Sequence, residues 1–258
     1  MVGGGAGYGV VVKSDPAAQN ALLDVQAQDS VIAQLTHRRG TLPELERIAE
    51  LQRGRAELDS SRVEADTEVS DLSAEQRKAD AEVENVKARR VRDEERMNSG
   101  AITNPKDLES LQHELGALER RISTLEDEEL EVMEKLEEAQ QRLEKVTADI
   151  ASVDAEIGQH EAARDAAYAE IDDKLAAARA DRELVLPNVP DDLFTLYEKL
   201  RESKGGVGAA ALRARSCEGC RLEINGADLR EIAAAADDDV VRCPECGRIL
   251  VRTAESGL

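Results

Sequence analysis

Residues 108–157 repeat apolar side chains at alternating spacings of three and four, and this pattern constrains the fold more than any other feature. A seam of this period is typical of an α-helical coiled coil. Glu129 is the one interruption in seven heptads, and a disordered segment would not keep such a phase. The seam positions are Leu108, Leu111, Leu115, Leu118, Ile122, Leu125, Glu129, Val132, Leu136, Ala139, Leu143, Val146, Ile150, Val153 and Ile157.

A second stretch, residues 51–90, has the same period but a weaker seam. One of its two core columns is nearly all apolar, from Leu51 to Val86. The other column carries polar residues, which lower coiled-coil stability but restrict register. These are Arg55, Arg62, Gln76 and Arg90. We interpret the arginines as laying their stems along the seam and reaching out to acidic residues.

Between the two arms lies a short stretch with helix stop and start residues. Ser99 and Gly100 can close a helix, while Asn104 can cap a new one that begins at Pro105. A stop followed so closely by a start predicts an antiparallel hairpin with its tip at about residues 97–105. The arms on either side, residues 17–96 and 106–184, have 80 and 79 residues, so we assign residues 15–186 to the hairpin.

The hairpin is predicted to have a kink near its base. Gly40 and Pro43 interrupt the first arm, and prolines disrupt helix interiors. In an antiparallel pairing about the tip, His160 and Arg164 lie opposite them and replace apolar seam residues. Both arms therefore lose their seam at the same height. The predicted fold class is mainly α: a long, kinked antiparallel coiled-coil hairpin followed by a small C-terminal domain.

Composition limits the expected cellular location of the protein and the ligands that it can bind. The formal net charge of −21 excludes generic attraction to nucleic acid or to an anionic membrane, so any such contact needs a local basic patch. No apolar run approaches a membrane span. The first 14 residues look like a flexible extension and lack the features of a secretory signal, so we expect a cytoplasmic protein.

The four cysteines form two Cys-x-x-Cys pairs, with 22 residues between the inner cysteines. Two such turns supply a closed set of four thiolates, which is typical of one structural zinc ion. A catalytic zinc would need an open position, whereas spacing alone leaves a rubredoxin-type iron centre open. The predicted ligands are Cys217, Cys220, Cys243 and Cys246. We assign residues 213–258 to this ribbon and residues 187–212 to a short helix and glycine-rich linker.

Basic residues concentrate around the linker and the ribbon. They indicate an anion-binding surface for nucleic-acid phosphate, or else a turn and an edge strand solvated by cations. The candidates are Lys199, Arg201, Lys204, Arg213, Arg215, Arg221, Arg242, Arg248 and Arg252.

Three motifs, in this order, resemble a bacterial family, the C4-type zinc ribbon proteins with an N-terminal coiled-coil hairpin. They are TNPKDLESLQHE at the tip, LYEKLRESKGGVGAA in the linker, and CEGC with CPECGRIL at the end. The resemblance implies the four cysteines as ligands and a non-enzymatic role. In a flagellar regulator of epsilonproteobacteria from this family, the hairpin binds an alternative sigma factor and the ribbon region binds a flagellin transcript. That implies protein binding along residues 17–184 and nucleic-acid binding around residues 217–252.

The function expected from these observations is that of a non-enzymatic adaptor. Its hairpin would bind protein partners, including transcription machinery, and its ribbon would bind RNA, DNA or protein. The alternative is a structural or assembly protein in which the ribbon only stabilises the fold. An enzyme is not expected, because the three histidines all fall on predicted helices and the glutamates line solvated coiled-coil surfaces.

Overall fold

The computed structural model describes residues 12–258, and residues 1–11, most of the predicted N-terminal extension, lie outside the described part. The chain divides into two compact units. The hairpin unit is Glu44–Ala162, and the head unit contains the residues up to Pro43 together with Ala163–Leu258. Within residues 12–258, no helix carries an apolar stretch long enough to cross a membrane.

Three long helices account for both predicted arms. Helix α1 is Pro16–Gly40, α2 is Pro43–Asn98 and α3 is Pro105–Val185. The predicted break in the first arm is present between α1 and α2, whereas α3 continues through His160 and Arg164 without interruption. The amide of Lys106 donates to the Asn104 side chain at 3.1 Å, and Gly100 adopts a left-handed φ of 74°, as the tip residues predicted.

The seam predicted from the heptads is the packed face of the hairpin unit, which confirms the coiled-coil fold class. Every predicted seam position in both arms is buried or half-buried. Because two helices alone cannot enclose a side chain on all sides, only a minority of these positions are fully buried. Those are Leu51, Ala65, Val83, Leu111, Ile122, Leu125, Val132, Leu136 and Ala139.

The polar seam residues differ in what they contact. Arg55 crosses to the opposite arm and binds Asp154 at 2.6 Å, as interpreted from the sequence. Arg62 and Arg90 instead pair with acidic residues of their own helix. Other ion pairs join the two arms on the surface, where each contributes little to stability because water screens it. They are Arg47–Glu156, Lys87–Glu126, Arg89–Glu114 and Arg142–Glu68.

In the head unit, a small sheet follows the C-terminal end of α3. After a 3₁₀ turn at Leu186–Asn188 come α4 (Asp191–Ser203), β1 (Ala209–Arg213), β2 (Ser216–Cys217), α5 (Gly226–Ala234) and β3 (Ile249–Arg252). The sheet order is β2-β1-β3, with β1 antiparallel to β2 and parallel to β3. The central strand β1 therefore separates the first cysteine pair from the strand that follows the second.

An apolar core joins α1, α4, β1 and β3. The core contains the aromatic residue Tyr197, fully buried, with Phe194 packed against it. The predicted divisions at residues 187 and 213 fall inside this unit, and the core runs across both. Its buried members are Ala21, Leu22, Val25, Val189, Leu193, Tyr197, Leu200, Ala209, Ile249 and Val251.

The last residues of the predicted flexible extension are held on the ribbon. Lys13 pairs with Asp238 and Asp239, at 3.1 and 3.3 Å, and the amide of Ser14 donates to the carbonyl of Asp238. These contacts place residues 12–14 beside the acidic loop that follows α5. Such backbone pairing with a distant loop is invisible in local composition.

Candidate metal centre and the surface around it

The two Cys-x-x-Cys turns have the same backbone hydrogen bonds. In the first, the amide of Arg221 donates to Cys217 O at 2.7 Å and the amide of Cys217 donates to Leu222 O at 3.0 Å. In the second, Gly247 donates to Cys243 O and Cys243 donates to Arg248 O, both at 2.9 Å. We call these turns the first and second knuckle. Their shared geometry follows from the shared task of aiming two thiols at one point.

The four sulfur atoms fit a tetrahedral metal ion. They all lie within 4.8 Å of one another, with 4.0 Å between Cys217 and Cys246 and 3.9 Å between Cys220 and Cys243. A tetrahedron with zinc–sulfur bonds of about 2.3 Å has edges of about 3.8 Å. A disulfide would bring two sulfurs to about 2.0 Å, so the cysteines are arranged as free thiols around one centre.

Without a bound cation, burial disfavours the thiolate form of two of the four cysteines. Burial raises the pKa of the Cys217 thiol to about 12 and raises that of Cys243. Burial acts in the same direction on Cys246, but hydrogen bonds from the Arg248 backbone and side chain lower its pKa to about 7. Four thiolates this close repel one another and are stable only around a metal dication.

The predicted zinc is therefore confirmed as a structural cofactor with a full complement of four cysteine ligands. When bound, zinc supplies folding energy to the ribbon, because so short a segment buries too little apolar surface by itself. Cys217 and Cys243 are also members of the ribbon's apolar core, together with Leu212, Ile224 and Leu250. The site thus links metal binding directly to packing.

Two of the predicted nucleic-acid candidates bind carboxylates. Arg201 pairs with Glu198 at 2.8 Å and lies 3.7 Å from Asp29. Arg213 pairs with Glu218 at 3.2 Å and with Glu255 at 2.6 Å. The Arg201 pairs are half-buried, and the Arg213 pairs are on the surface.

Three further candidates donate hydrogen bonds to backbone carbonyls. Arg242 donates to Gly247 O at 2.8 Å, inside the second knuckle. Arg248 donates to Val207 O at 2.9 Å and Lys204 O at 2.7 Å, which anchors the linker to that knuckle. Arg252 caps the end of α5 and the acidic loop by donating to five carbonyls, those of Ile232, Ala235, Ala236, Asp237 and Asp239. These hydrogen bonds stabilise the fold of the head unit.

The remaining four candidates have no side-chain partner among residues 12–258. Lys199 and Lys204 lie near the end of α4, while Arg215 and Arg221 are exposed on the ribbon. Both arginines adopt left-handed backbone conformations, with φ of 69° and 59°. Residues 209–258 carry seven arginines and nine acidic residues, so the ribbon is not basic overall.

Sequence reasoning missed the polar residues that hold the linker and the hairpin base together. Gln26, on α1, accepts from the amide of Gly208 at 2.7 Å and donates to Gly206 O at 3.2 Å. Asp29 accepts from Arg182 and from the hydroxyl of Tyr197, each at 2.7 Å. No local pattern distinguishes these side chains from other polar residues of a helix.

Gly208 was missed for a similar reason. A Cβ at this position would lie 2.6 Å from the backbone oxygen of Tyr197, so no larger residue fits without a shift. Gly219, in the first knuckle, is equally close-packed, because a Cβ there would lie 2.9 Å from Arg248 and 3.0 Å from Ala210. Both requirements arise from contacts between different secondary-structure elements, which only the folded chain brings together.

Fold and site together define a helical-hairpin protein that carries a structural zinc ribbon. The model of the CT398-like coiled coil hairpin domain matches residues 25–205, and that of the C4-type zinc ribbon domain matches residues 216–250. The chain belongs to the CT398-like coiled-coil hairpin family, which confirms the resemblance carried by the motifs at the tip, the linker and the cysteines.

Relatives match along nearly the whole chain. An uncharacterized protein of Mycobacterium tuberculosis is 34% identical over 241 residues, covering 93% of this chain and 98% of its own length. An uncharacterized protein of Mycobacterium leprae is 29% identical over 221 residues, covering 86% and 94%.

Two solved structures share the fold. A Mycobacterium smegmatis protein is 36% identical, with a TM-score of 0.81, and the match covers 94% of this chain and all of that one. CT398 from Chlamydia trachomatis is 18% identical, with a TM-score of 0.65, and the match covers 92% of this chain and 98% of that one. At 18% identity, the match to CT398 shows a shared fold alone.

Proposed function

We propose that this chain is a non-enzymatic, zinc-binding adaptor whose hairpin binds protein partners and whose ribbon binds nucleic acid. The proposed nucleic-acid binding rests on two exposed ribbon arginines, Arg215 and Arg221, which have no side-chain partner among residues 12–258. A closed four-cysteine site leaves no coordination position for a reacting substrate, which favours a binding role over a catalytic one. A reducing cytoplasm suits four free thiols.

The proposed protein binding by the hairpin is supported by two partly exposed apolar side chains on α3. Leu130 and Met133 are 56% and 42% exposed on α3, one helical turn apart, beside Gln76 of the opposite arm. Apolar residues three positions apart on a helix are a common anchor for a partner helix. The partner proposed for this surface is therefore a helical segment of another protein.

Nucleic-acid binding is tested with the full-length, zinc-loaded protein. Fluorescence anisotropy with labelled 20-nucleotide RNA, single-stranded DNA and duplex DNA should give binding that weakens as salt rises, because phosphate contacts release counterions. A matched variant pair separates surface charge from fold: Arg215→Gln with Arg221→Gln, against Arg230→Gln on α5. Failure of all three nucleic acids to bind at 50 mM salt would overturn this half of the proposal.

Protein binding by the hairpin is tested with a photo-crosslinking amino acid placed at Met133, with exposed Glu128 as the control position. One protein crosslinked from cells at position 133 and absent at 128, and bound again by purified components, is the expected result. Equal crosslinking at both positions would contradict a specific surface there.

The same exposed side chains favour a second candidate, a self-assembling structural protein. Light scattering separates the two candidates. A mass that stays monomeric over a wide concentration range supports the adaptor, whereas a mass that rises with concentration and falls to the monomer in Met133→Glu supports assembly.

A further inference from the structure

The two knuckles share a backbone but differ at the position that follows their second cysteine. In the second knuckle that position is Gly247, with a φ of 72°. In the first it is Arg221, with a φ of 59°. Only glycine adopts this left-handed conformation without steric cost, since a Cβ crowds the neighbouring carbonyl. The first knuckle therefore holds a long cationic side chain in a conformation that would suit glycine better.

A second arginine is held in the same way. Ala214 and Arg215 have φ of 46° and 69°, and they form the turn between β1 and β2. The amides of these two residues donate to Glu255 O and Ser256 O, at 2.8 and 2.9 Å, and these bonds hold the turn in its strained form. Strain that surrounding bonds enforce is characteristic of functional sites.

The knuckles also differ in what lies beside that position. Arg248 follows Gly247 and is bound to the linker carbonyls, so the second knuckle faces the protein. Leu222 follows Arg221 and is 51% exposed, so the first knuckle faces solvent. We call Arg215, Arg221 and Leu222 the first-knuckle surface. It combines an exposed apolar side chain with two guanidinium groups that have no side-chain partner within residues 12–258.

We infer that the first-knuckle surface is the nucleic-acid contact and that its ligand is single-stranded; this rests on the proposed function. Arg215 pairs through its carbonyl with Ile224, and Arg221 lies at the turn of the same short hairpin. At about 3.3 Å per residue the two are on the order of 10 Å apart, within reach of one short stretch of strand. Guanidinium planes contact phosphates and also stack on unpaired bases, for which Leu222 adds an apolar neighbour.

A duplex fits this surface less well. Proteins that read a duplex directly place a helix or a β-ribbon in the groove. Helix α5 carries Asp228 and Glu231 beside its one cation, Arg230, and these carboxylates would repel the phosphates. The first knuckle is neither a helix nor a long β-ribbon. It presents individual side chains, which can contact the phosphate backbone or an unpaired base of a single strand.

The decisive variant is Arg221→Gly, because it should change stability and binding in opposite directions. Removing the left-handed strain should keep or raise the melting temperature of the zinc-loaded protein, by up to about 3 °C. The same change should weaken binding to a 20-nucleotide single strand. With Arg215→Gly added, we expect at least a tenfold loss, and the slope of log K against log salt should become shallower by about 1.4.

Controls make each failure distinguishable. Arg230→Gln should bind like the unchanged protein, and Arg221→Lys should retain charge attraction but lose the planar contact. If the unchanged protein binds and the double glycine variant binds equally well, the first-knuckle assignment is overturned while the proposed function stands. If duplex binds more tightly than single strand, the ligand class is wrong. If the unchanged protein binds no nucleic acid, both proposals fall.

Discussion

The hairpin unit and the head unit are stabilised in different ways. Seam residues of the hairpin unit are mostly half-buried, and its charged groups pair on the surface. The head unit encloses side chains completely, among them Leu22, Leu193 and Tyr197, and it buries a carboxylate at Asp29. Repetition along a seam spreads stability over many weak contacts, whereas the head concentrates it in a few. Single changes should therefore be tolerated in the hairpin and costly in the head.

Zinc removal should have the largest effect and should be confined to the head. Structural zinc contributes on the order of 10 kcal/mol of binding energy to ribbons of this kind, so its loss should unfold the ribbon. A chelator, or Cys243→Ser, should abolish the thermal transition of the head and leave a helical transition from residues 44–162. Circular dichroism at 222 nm with limited proteolysis of the linker checks this. Loss of all helix on chelation would contradict the independent stability of the hairpin unit. After chelation, added zinc should restore the head transition.

Asp29→Asn should have the next largest effect. The buried carboxylate accepts from Arg182 and Tyr197, and its removal leaves the half-buried Arg182 guanidinium with Glu198 as its remaining carboxylate partner. Breaking a buried, hydrogen-bonded charge pair costs about 3 kcal/mol. Urea denaturation should show this loss in the head transition, while Asp24→Asn, exposed on the same helix, should change little. Equal effects of the two variants would show that the network does not stabilise the head.

Gly208→Ala and Gly158→Ala should change stability in opposite directions. The added methyl group would meet the Tyr197 backbone at 2.6 Å in the head, so overpacking should cost about 2 kcal/mol. At Gly158, on α3 in the hairpin, nothing lies within 4 Å, and alanine favours helix by about 1 kcal/mol. The midpoint of each thermal transition reports the sign. The same sign for both would remove the contrast between the units.

Glu129→Gln should give the smallest effect, visible as a change in pH dependence. A hydrogen bond with Asp80 raises the pKa of Glu129, so the folded hairpin binds that proton more tightly than the unfolded chain does. Two neighbouring carboxylates destabilise the folded hairpin, and this effect is full above the raised pKa of Glu129. It fades as the pH falls through that pKa towards the ordinary value of about 4.5. Thermal melts of Glu129→Gln should be less sensitive between pH 7 and 5 than those of Glu128→Gln. Identical pH profiles would show that the Asp80 contact has no such role.

Much of the fold was predictable from local patterns. The heptads in residues 108–157 selected the buried face of α3, and Asn104 with Pro105 marked its first turn. The cysteine spacing identified all four thiols that meet at one centre. These features depend on residues close in sequence, where helical period and turn geometry leave few alternatives.

Which arginines remain available could not be predicted. Arg221 and Arg252 look equivalent in the sequence, yet one is exposed without a side-chain partner in residues 12–258, and the other donates to five carbonyls. Hydrogen-bond partners depend on which distant segments the fold brings together, and local composition contains no record of them.

The sequence by itself determined the hairpin, its tip, its broken first arm and the four-cysteine centre, because each follows from spacing within one segment. Only the tertiary structure decided that residues 12–14 bind the ribbon, that Gln26 and Asp29 hold the linker and α4, and that Gly208 admits no side chain. The contacts of residues 12–14, Gln26 and Asp29 join segments about 150 to 230 residues apart, whereas Gly208 meets Tyr197 of the preceding helix. Long-range packing selects partners by shape and charge in three dimensions, which no local period encodes.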